Sequence, residues 1–427
     1  MHHYAALLLL TVYPAFAQTA DLAGTWELTL ARFGDPEYRR VTFESKDGKY
    51  TGKFRGRTFE ATVTGAGVEI ACLNPDEAKE KSCGHLSGKM EGGVWRGSGE
   101  IYETPTTWEL RRAKERPAEA PKVHTFEPTQ FHRHFADNIP PVLTLYPGDT
   151  VKTWSVDAGG RDPKNKQRSL GGNPLTGPFY VEGALPGDTL VVKLLKVRLN
   201  RDSAGSGDMV VGSLLDPYFF HEQKDVKNFD SEWKLDLAAQ TGMLAKPTDR
   251  LKKFKVPLRP MLGCIGVAPP AHNALRSGHL GDFGGNMDYN QLQEGVTVYL
   301  PVYQRGALLF VGDGHAAQGD GELTGDALET SMDIEFSVDL RKDKSLGTPW
   351  FENAEYVMVS GIGNSLLEAV QGATSGLSQY LEQEFKLNAA EIGIVLGTSI
   401  KYDIAEMVDP KVHVVAKVRK EALEQLR

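Results

Sequence analysis

The sequence predicts a β-dominant α+β protein: a small antiparallel β-barrel domain at the N-terminus, then a larger β-rich domain with helices near its C-terminal end. Three observations carry this. The 427 residues include 45 glycines and 23 prolines, a turn-rich composition that suits many short strands better than a helical bundle. Short runs of alternating apolar and polar residues, broken by Gly and Asp, fill the stretch from 20 to 112. Helical periodicity appears only late, from Asn364 onward. At roughly 150 residues per unit, the length implies two to three structural units.

Residues 1–17, MHHYAALLLLTVYPAFA, have the layout of a secretory signal peptide. An apolar run too short to span a bilayer is followed by Pro14 and the small-residue pattern Ala15-Phe16-Ala17. Export is expected, to the periplasm in a bacterium; a buried N-terminal strand is the competing reading. No later stretch reaches the ~18 apolar residues that a membrane helix requires, so no integral membrane segment is expected once the signal is cleaved.

The next runs, GTWELTLARF, YRRVTFESKDGKYTGKF, TFEATVTGAGVEIAC, GVWRGSGEIYE and TTWELRR, read as the strands of a small barrel or sandwich over 20–112. Trp26 and Trp108 are expected in its core, and the pattern resembles small lipocalin-like barrels. Cys72 and Cys83 lie close together and could form a disulfide in an oxidising compartment, while Cys264, within MLGCIGV, reads as a buried small hydrophobe. The charged, Pro-rich stretch RRAKERPAEAPK marks a domain boundary, with a linker over 113–122.

The second domain is expected over 123–427. VLTLYPGDTV and ALPGDTLVVKLLKV place alternating apolar residues around a Pro-Gly-Asp turn, and VTVYLPVYQRGALLFVGDG is a third hairpin-like stretch. Mixed polarity from about 200 to 256 predicts loops with one short helix. Leu366, Val370, Ala373, Leu377 and Leu381 recur at helical spacing, and Asn388-Ala389-Ala390-Glu391 resembles a capping box opening a second helix. A strand-like VHVVAKV and a charged tail follow.

Composition excludes some function classes. Hydrophobic residues at 41% and charged residues at 24% are close to soluble globular averages, against wholesale disorder or a polytopic membrane protein. The balance of 48 Lys+Arg against 56 Asp+Glu, net −8, makes nucleic acid a poor partner, since phosphate binding calls for basic surfaces. No Gly-x-Ser-x-Gly elbow, Walker A motif or Gly-x-Gly-x-x-Gly fingerprint is present.

The densest polar cluster, VGDGHAAQGDGE at 311–322, offers Asp313, His315, Gln318, Asp320 and Glu322 after an apolar run. Such a run places them at a rigid strand end, and carboxylate with imidazole suits a divalent metal or general acid–base chemistry. Gly284-Gly285-Asn286-Met287-Asp288 is a second cluster, where an Asx turn is an equal alternative. A third is His132-Arg133-His134-Phe135-Ala136-Asp137-Asn138, with two imidazoles at i and i+2. Asp157 in VDAGG and Glu182 in PFYVEG are further candidates, each with an equally good structural reading.

These motifs, in order across residues 124–415, resemble the acetamidase/formamidase family: His132 before Phe135, PPVLTLYPGDTV, Asp157 with Gly159-Gly160, NPLTGPFYVEGALPGDTL, LGCIGVAP, GGNMD, and VGDGHAAQGDGE followed by Glu329. The resemblance implies a β-rich fold, homo-oligomers and metal-dependent hydrolysis of a short amide to carboxylate and ammonia, with zinc or calcium as the ion. Carried onto this chain, His132, Asp157 and His315 become metal ligands. Asp288, Asp320 and Glu322 become candidates for activating water or protonating the departing amine, with Asp137 and Asp313 in reserve. Arg259 and Phe283 stand where many members have His, and Lys401 where an acid is usual. These departures bear on the substrate, for which a γ-lactam or an amino-acid amide is the alternative. A non-catalytic exported ligand-binding protein, using its barrel, is the alternative from another class.

Overall fold

The computed structural model describes residues 21–54, 57–74, 81–114, 116, 120–222 and 229–426. The expected signal peptide, 1–17, and part of the expected linker, residues 115 and 117–119, lie outside them. The chain divides between Ala113 and Lys114 into two compact units.

The first unit is a closed barrel of eight antiparallel strands in sequence order, from Gly24–Arg32 to Thr104–Arg112. The first strand closes on the last with Leu28 opposite Leu110. Alternation turns Trp26, Leu28 and Leu30 inward, where they meet Trp95 and Trp108 in one apolar cluster. Trp26 and Trp108 are 1% and 3% exposed, and each indole N–H finds a carbonyl, Leu22 at 2.7 Å and Ser87 at 3.1 Å. An eight-stranded barrel is just wide enough for side chains to fill, and this one is filled.

Cys72 and Cys83 form a disulfide between the adjacent strands Gly67–Asn74 and Lys81–Glu91, with Cα atoms 5.1 Å apart. Closing an 11-residue separation restricts the unfolded chain, an effect of about 3 kcal/mol for loops of this order. The Cys72→Ser, Cys83→Ser double variant is therefore expected to lower the barrel's unfolding free energy by that amount, read as a lower urea midpoint. An unchanged midpoint would show that the bridge contributes nothing.

The second unit carries two large sheets. One, with nine strands among the described residues, includes Thr150–Ser155, Thr189–Leu199, Thr297–Pro301, Met332–Arg341, Tyr356–Gly363 and Val412–Arg419. The other, with eleven, includes Leu175–Val181, Ser203–Gly205, Glu232–Asp236, Met261–Gly266, Leu309–His315 and Glu329–Thr330. Their inner faces share one core, in which Phe179 of the second sheet meets Phe336 of the first edge-on at 5.3 Å.

The three hairpin-like stretches are not hairpins. In each, the strand before the turn and the strand after it join different sheets, so the turn carries the chain across the core. Pro at i+1 and a left-handed Gly at i+2, Gly148 (φ 93°) and Gly187 (φ 101°), make the bend. The Asp then accepts from the backbone N–H three residues earlier, Tyr146 for Asp149 and Leu185 for Asp188, both at 3.0 Å. Leu175–Val181 and Leu309–His315 are buried along almost their whole length, and distant partners rather than the local turn decide the pairing of the flanking strands.

Between 200 and 256 the expected short helix is present at Pro217–Glu222. The strands Ser203–Gly205, Glu232–Asp236 and Thr241–Leu244 are additional. Alternation in EWKLD buries Trp233 and Leu235 in a small cluster with Leu244 and Leu258, a signal too short to register against its charged surroundings.

The two late helices are Leu366–Phe385 and Ala389–Ser399. Ser365 caps the first and the Asn388–Glu391 capping box opens the second. The buried face of the first is Ala369, Ala373, Gly376, Leu377, Tyr380 and Leu381, displaced from the expected stripe, and Leu366 is 44% exposed. Small residues prevail there because the helix lies against the strand Tyr356–Gly363, where a Cβ on Gly361 would collide with Ala369 and Ala373. Among the described residues, no helix is long and apolar enough to cross a membrane.

Candidate active site

The strand Leu309–His315 is buried along its whole length and presents Asp313 and His315, two residues apart, to one face. Glu329 lies directly opposite His315 on the neighbouring strand, and Met261 opposite it on the other side. Strand Gly284–Asn286 pairs next with Met261–Gly266, Asn286 opposite Cys264, and delivers Asp288 just beyond its end. Glu322 comes from the following loop, which is fastened where Gly321 N–H donates to the Ile404 carbonyl at 3.0 Å. Glu406 and Asp409 arrive from the end of strand Lys401–Glu406.

Gly263 leaves the room in which these groups meet. A Cβ at that position would collide with the Asp288 and Asp313 carboxylates and press on the His315 ring. Three of the acids, Asp288 (φ 38°), Asp313 (φ 57°) and Glu322 (φ 47°), have left-handed backbone. Such conformations cost ~1–3 kcal/mol each and persist only where the surroundings enforce them, typically at functional sites.

His315 Nε2 faces Glu329 Oε1 at 3.1 Å, Asp313 Oδ1 at 3.6 Å and Asp288 Oδ1 at 3.8 Å. Its Nδ1 lies 2.9 Å from Gln318 Oε1. The Gln318 amide nitrogen donates to the backbone carbonyls of Asp288 and Ala405, so its oxygen must turn toward the imidazole. Nδ1 therefore carries the hydrogen, and the Nε2 lone pair of neutral His315 points at the carboxylates. Asn173 donates to Asn286 Oδ1 at 2.9 Å and Asp313 Oδ2 at 3.0 Å, and Asn286 donates to Asp288 and Asp409. Behind Asp288, buried His413 donates from Nδ1 to the Met287 carbonyl at 2.6 Å and accepts from Ser360 at 2.9 Å.

Two sets of ligand atoms lie within 4.8 Å of one another: Asp288, His315 and Glu322, and Asp313, His315 and Glu329. Asp288 Oδ1, Asp313 Oδ1, Glu329 Oε2 and Glu406 Oε1 are buried without a hydrogen-bond partner. An unsatisfied buried polar atom costs about 1–3 kcal/mol, more when charged. Imidazole nitrogen and converging carboxylate oxygens are donors of the kind a divalent cation takes, and the orphaned oxygens fit one.

Without a cation, protons take that part. Burial pushes Asp288 well above the usual carboxylate range, and Glu322 adds to it. Burial likewise pushes Glu322 up to about 8, Glu329 to about 7, Glu406 to about 9 and Asp409 to about 6. Burial opposes the charge on His315, but Glu329 and Asp313 outweigh it and hold the imidazolium well above the usual value. Each folded pKa lies above its unfolded value, so the stabilisation is complete below the unfolded pKa and is lost as pH rises through the folded one. Cation-free protein is accordingly expected to lose thermal stability between about pH 6 and 9. Divalent cation, which displaces these protons, should restore it. A midpoint flat across that window would contradict the buried-acid arrangement.

The structure gathers His315, Asp288, Glu322 and Asp313 together and leaves the other expected residues apart. Asp157 belongs to neither set; its oxygens are occupied by Arg201 Nη2 at 2.7 Å and the Arg161 backbone N–H at 2.8 Å. Nor does His132, whose backbone bridges Leu175 and whose half-buried ring stands edge-on to Phe310. Asp320 is exposed and accepts from Asn290 at 2.7 Å, while Asp137 accepts from His272. Phe283 packs against Phe135 in the core, and Arg259 is exposed. Roles for Glu329, Glu406, Asp409, Asn173 and Gly263 escaped the sequence reading, although Asn173, Gly263 and Glu329 stand within or beside motifs it singled out, and Glu406 and Asp409 lie a few residues after Lys401.

A cleft of about 1250 Å³ opens beside the cluster, and Asn173 and Glu329 belong to both.

Fold and cluster together define a β-rich protein with a buried carboxylate–imidazole centre able to hold a divalent cation. The chain belongs to the acetamidase/formamidase family, whose model matches residues 119–279 and 271–411; the barrel lies outside the match. It is 27% identical to the formamidase of Methylophilus methylotrophus over 263 residues, 50% of this chain and 65% of that one. It is also 27% identical to the acetamidase of Mycolicibacterium smegmatis over 269 residues, 49% of this chain and 66% of that one. The matches thus span just under two-thirds of these relatives. The solved acetamidase of Yersinia enterocolitica superposes with a TM-score of 0.60 at 29% identity, covering 72% of this chain and 94% of that one.

Proposed function

We infer that the protein is an exported, metal-dependent amidase that converts a linear amide to carboxylate and ammonia. The observation that carries this is the set of orphaned carboxylate oxygens converging on His315, in a chain of this family and beside an open cleft. The imidazole in the set favours zinc over calcium, which prefers oxygen ligands alone. His315, Asp288 and Glu322, or His315, Asp313 and Glu329, would hold the ion. A bound divalent cation lowers the pKa of water and polarises a carbonyl.

The chain's own groups do the rest. Gln318 fixes the His315 tautomer, and Asn173 and Asn286 orient Asp313 and Asp288. Whichever of Glu322 and Glu329 does not hold the ion is placed to take a proton from water and return it to the departing nitrogen; in the cation-free protein burial raises them to about 8 and about 7. Asp320, at the surface, is left out of that role.

The filled barrel interior speaks against the reading in which the barrel captures a ligand while the second unit is idle. The Cys72–Cys83 bridge supports export, since such bonds persist in oxidising compartments. Homo-oligomer formation is part of the same proposal, and light scattering reads it. The central test is ammonia release from an amide panel, before and after chelation, with elemental analysis of the purified protein. Activity lost on chelation and regained with zinc is expected; undiminished activity in metal-free protein would reject the metal-dependent reading.

A further inference from the structure

The cleft beside the cluster is far larger than the smallest amides need. Formamide has three non-hydrogen atoms and displaces no more than roughly three waters, or about 90 Å³, whereas the cleft measures about 1250 Å³. Both of its walls lead to the candidate centre. One is the strand Ser203–Gly205, which extends the sheet that bears His315 and sets Gly205 directly opposite Glu329. The other is the loop ending at Asn173, which donates to Asp313 at 3.0 Å. Glu329 lies at their junction, 9% exposed and with its Oε2 unpartnered.

The cleft's lining also has a sign. Acidic residues outnumber basic ones there, six to four, and the Arg201–Asp157 pair at 2.7 Å cancels one of each. The remaining surface mixes Ser, Gly and Asn with the apolar side chains of Trp233, Leu235 and Met243. A field of this kind repels anions and draws neutral polar or cationic groups.

Resting on the amidase reading, we propose that this cleft is the acyl-group subsite. The substrate is an amide whose acyl part is long and neutral or cationic, on the scale of an amino-acid amide or short peptide amide. Its carboxamide end reaches Glu329, and the remainder lies along Ser203–Gly205. Water adds to the amide carbonyl, the C–N bond breaks, and ammonia leaves with the proton supplied by the acid cluster.

Gly205 offers the test, because a Cβ there meets nothing within 4 Å and a larger side chain would project into the cleft. With zinc-loaded enzyme, kcat/KM is measured for formamide, acetamide, lysinamide, glycyl-lysinamide and the anionic succinamate. Glycyl-lysinamide is expected to exceed both formamide and succinamate by at least about tenfold. Gly205→Phe should reduce the ratio of glycyl-lysinamide to formamide by at least about tenfold. A preference for formamide or succinamate, or a ratio unmoved by Gly205→Phe, would overturn the proposal while leaving the amidase reading intact. If no amide is turned over, titration calorimetry with glycyl-lysinamide decides. Binding to the wild type that Gly205→Phe removes keeps the subsite and overturns only the amidase reading; absence of binding overturns both.

Discussion

Glu322→Gln is expected to lower kcat for amide hydrolysis by about 10²–10⁴-fold, the usual contribution of a positioned general acid or base. The substitution keeps the volume and one carbonyl oxygen but cannot cycle a proton. Glu322 is 6% exposed, has left-handed backbone and holds its proton to about pH 8, so a neutral amide replaces an already protonated group without burying a new charge. Thermal stability of the cation-free protein near neutrality should therefore change little or rise. The measurement is steady-state ammonia release alongside a melting curve. Full activity in folded Glu322→Gln would remove the residue from the mechanism and pass its role to Glu329.

Gly263→Ala is expected to have an effect of comparable size by a different route. The added methyl group has no space: it would collide with the carboxylates of Asp288 and Asp313 and crowd His315. Separating these groups by even an ångström spoils a cation site, where donor distances must hold within about 0.2 Å, and misplacement on that scale can cost about 10²-fold in rate. Loss of zinc retention and of activity together is the expected result, read by elemental analysis and ammonia release. Gly263→Ala protein with wild-type zinc content would show that the room above this glycine is not the ion's seat.

What could be read from the sequence follows from how local each signal was. The barrel strands alternate with period 2 and pair with their neighbours, so 20–112 was legible almost element by element. The capping box at Asn388 and the helix after Ser365 are likewise local. The Pro-Gly-Asp turns misled because their chemistry fixes a bend but not the partners of the strands they join. In the candidate site, 311–322 supplied Asp313, His315 and Glu322 in a dozen residues, and GGNMD supplied Asp288. Asp157 and His132 looked equally suited, but nothing local revealed that Arg201, forty-four positions on, would occupy one, or that the other would lie beside Phe310. Glu406 and Asp409 were hidden in a strand whose acids could as well have faced solvent. Gly263 was invisible for a different reason: a residue whose role is to be small leaves no chemical trace.

The crossing of the core at each Pro-Gly-Asp turn has a consequence for how the protein is made. In the barrel almost every ladder joins consecutive strands, so it can assemble as it emerges from the ribosome. The second unit sets Thr150 beside Ser337 and Leu199 beside Met332, which makes its contact order high and its closure slow. A nascent chain stopped short of about residue 341 would present a finished first unit followed by unpaired strand edges, the state most exposed to aggregation and most dependent on chaperones.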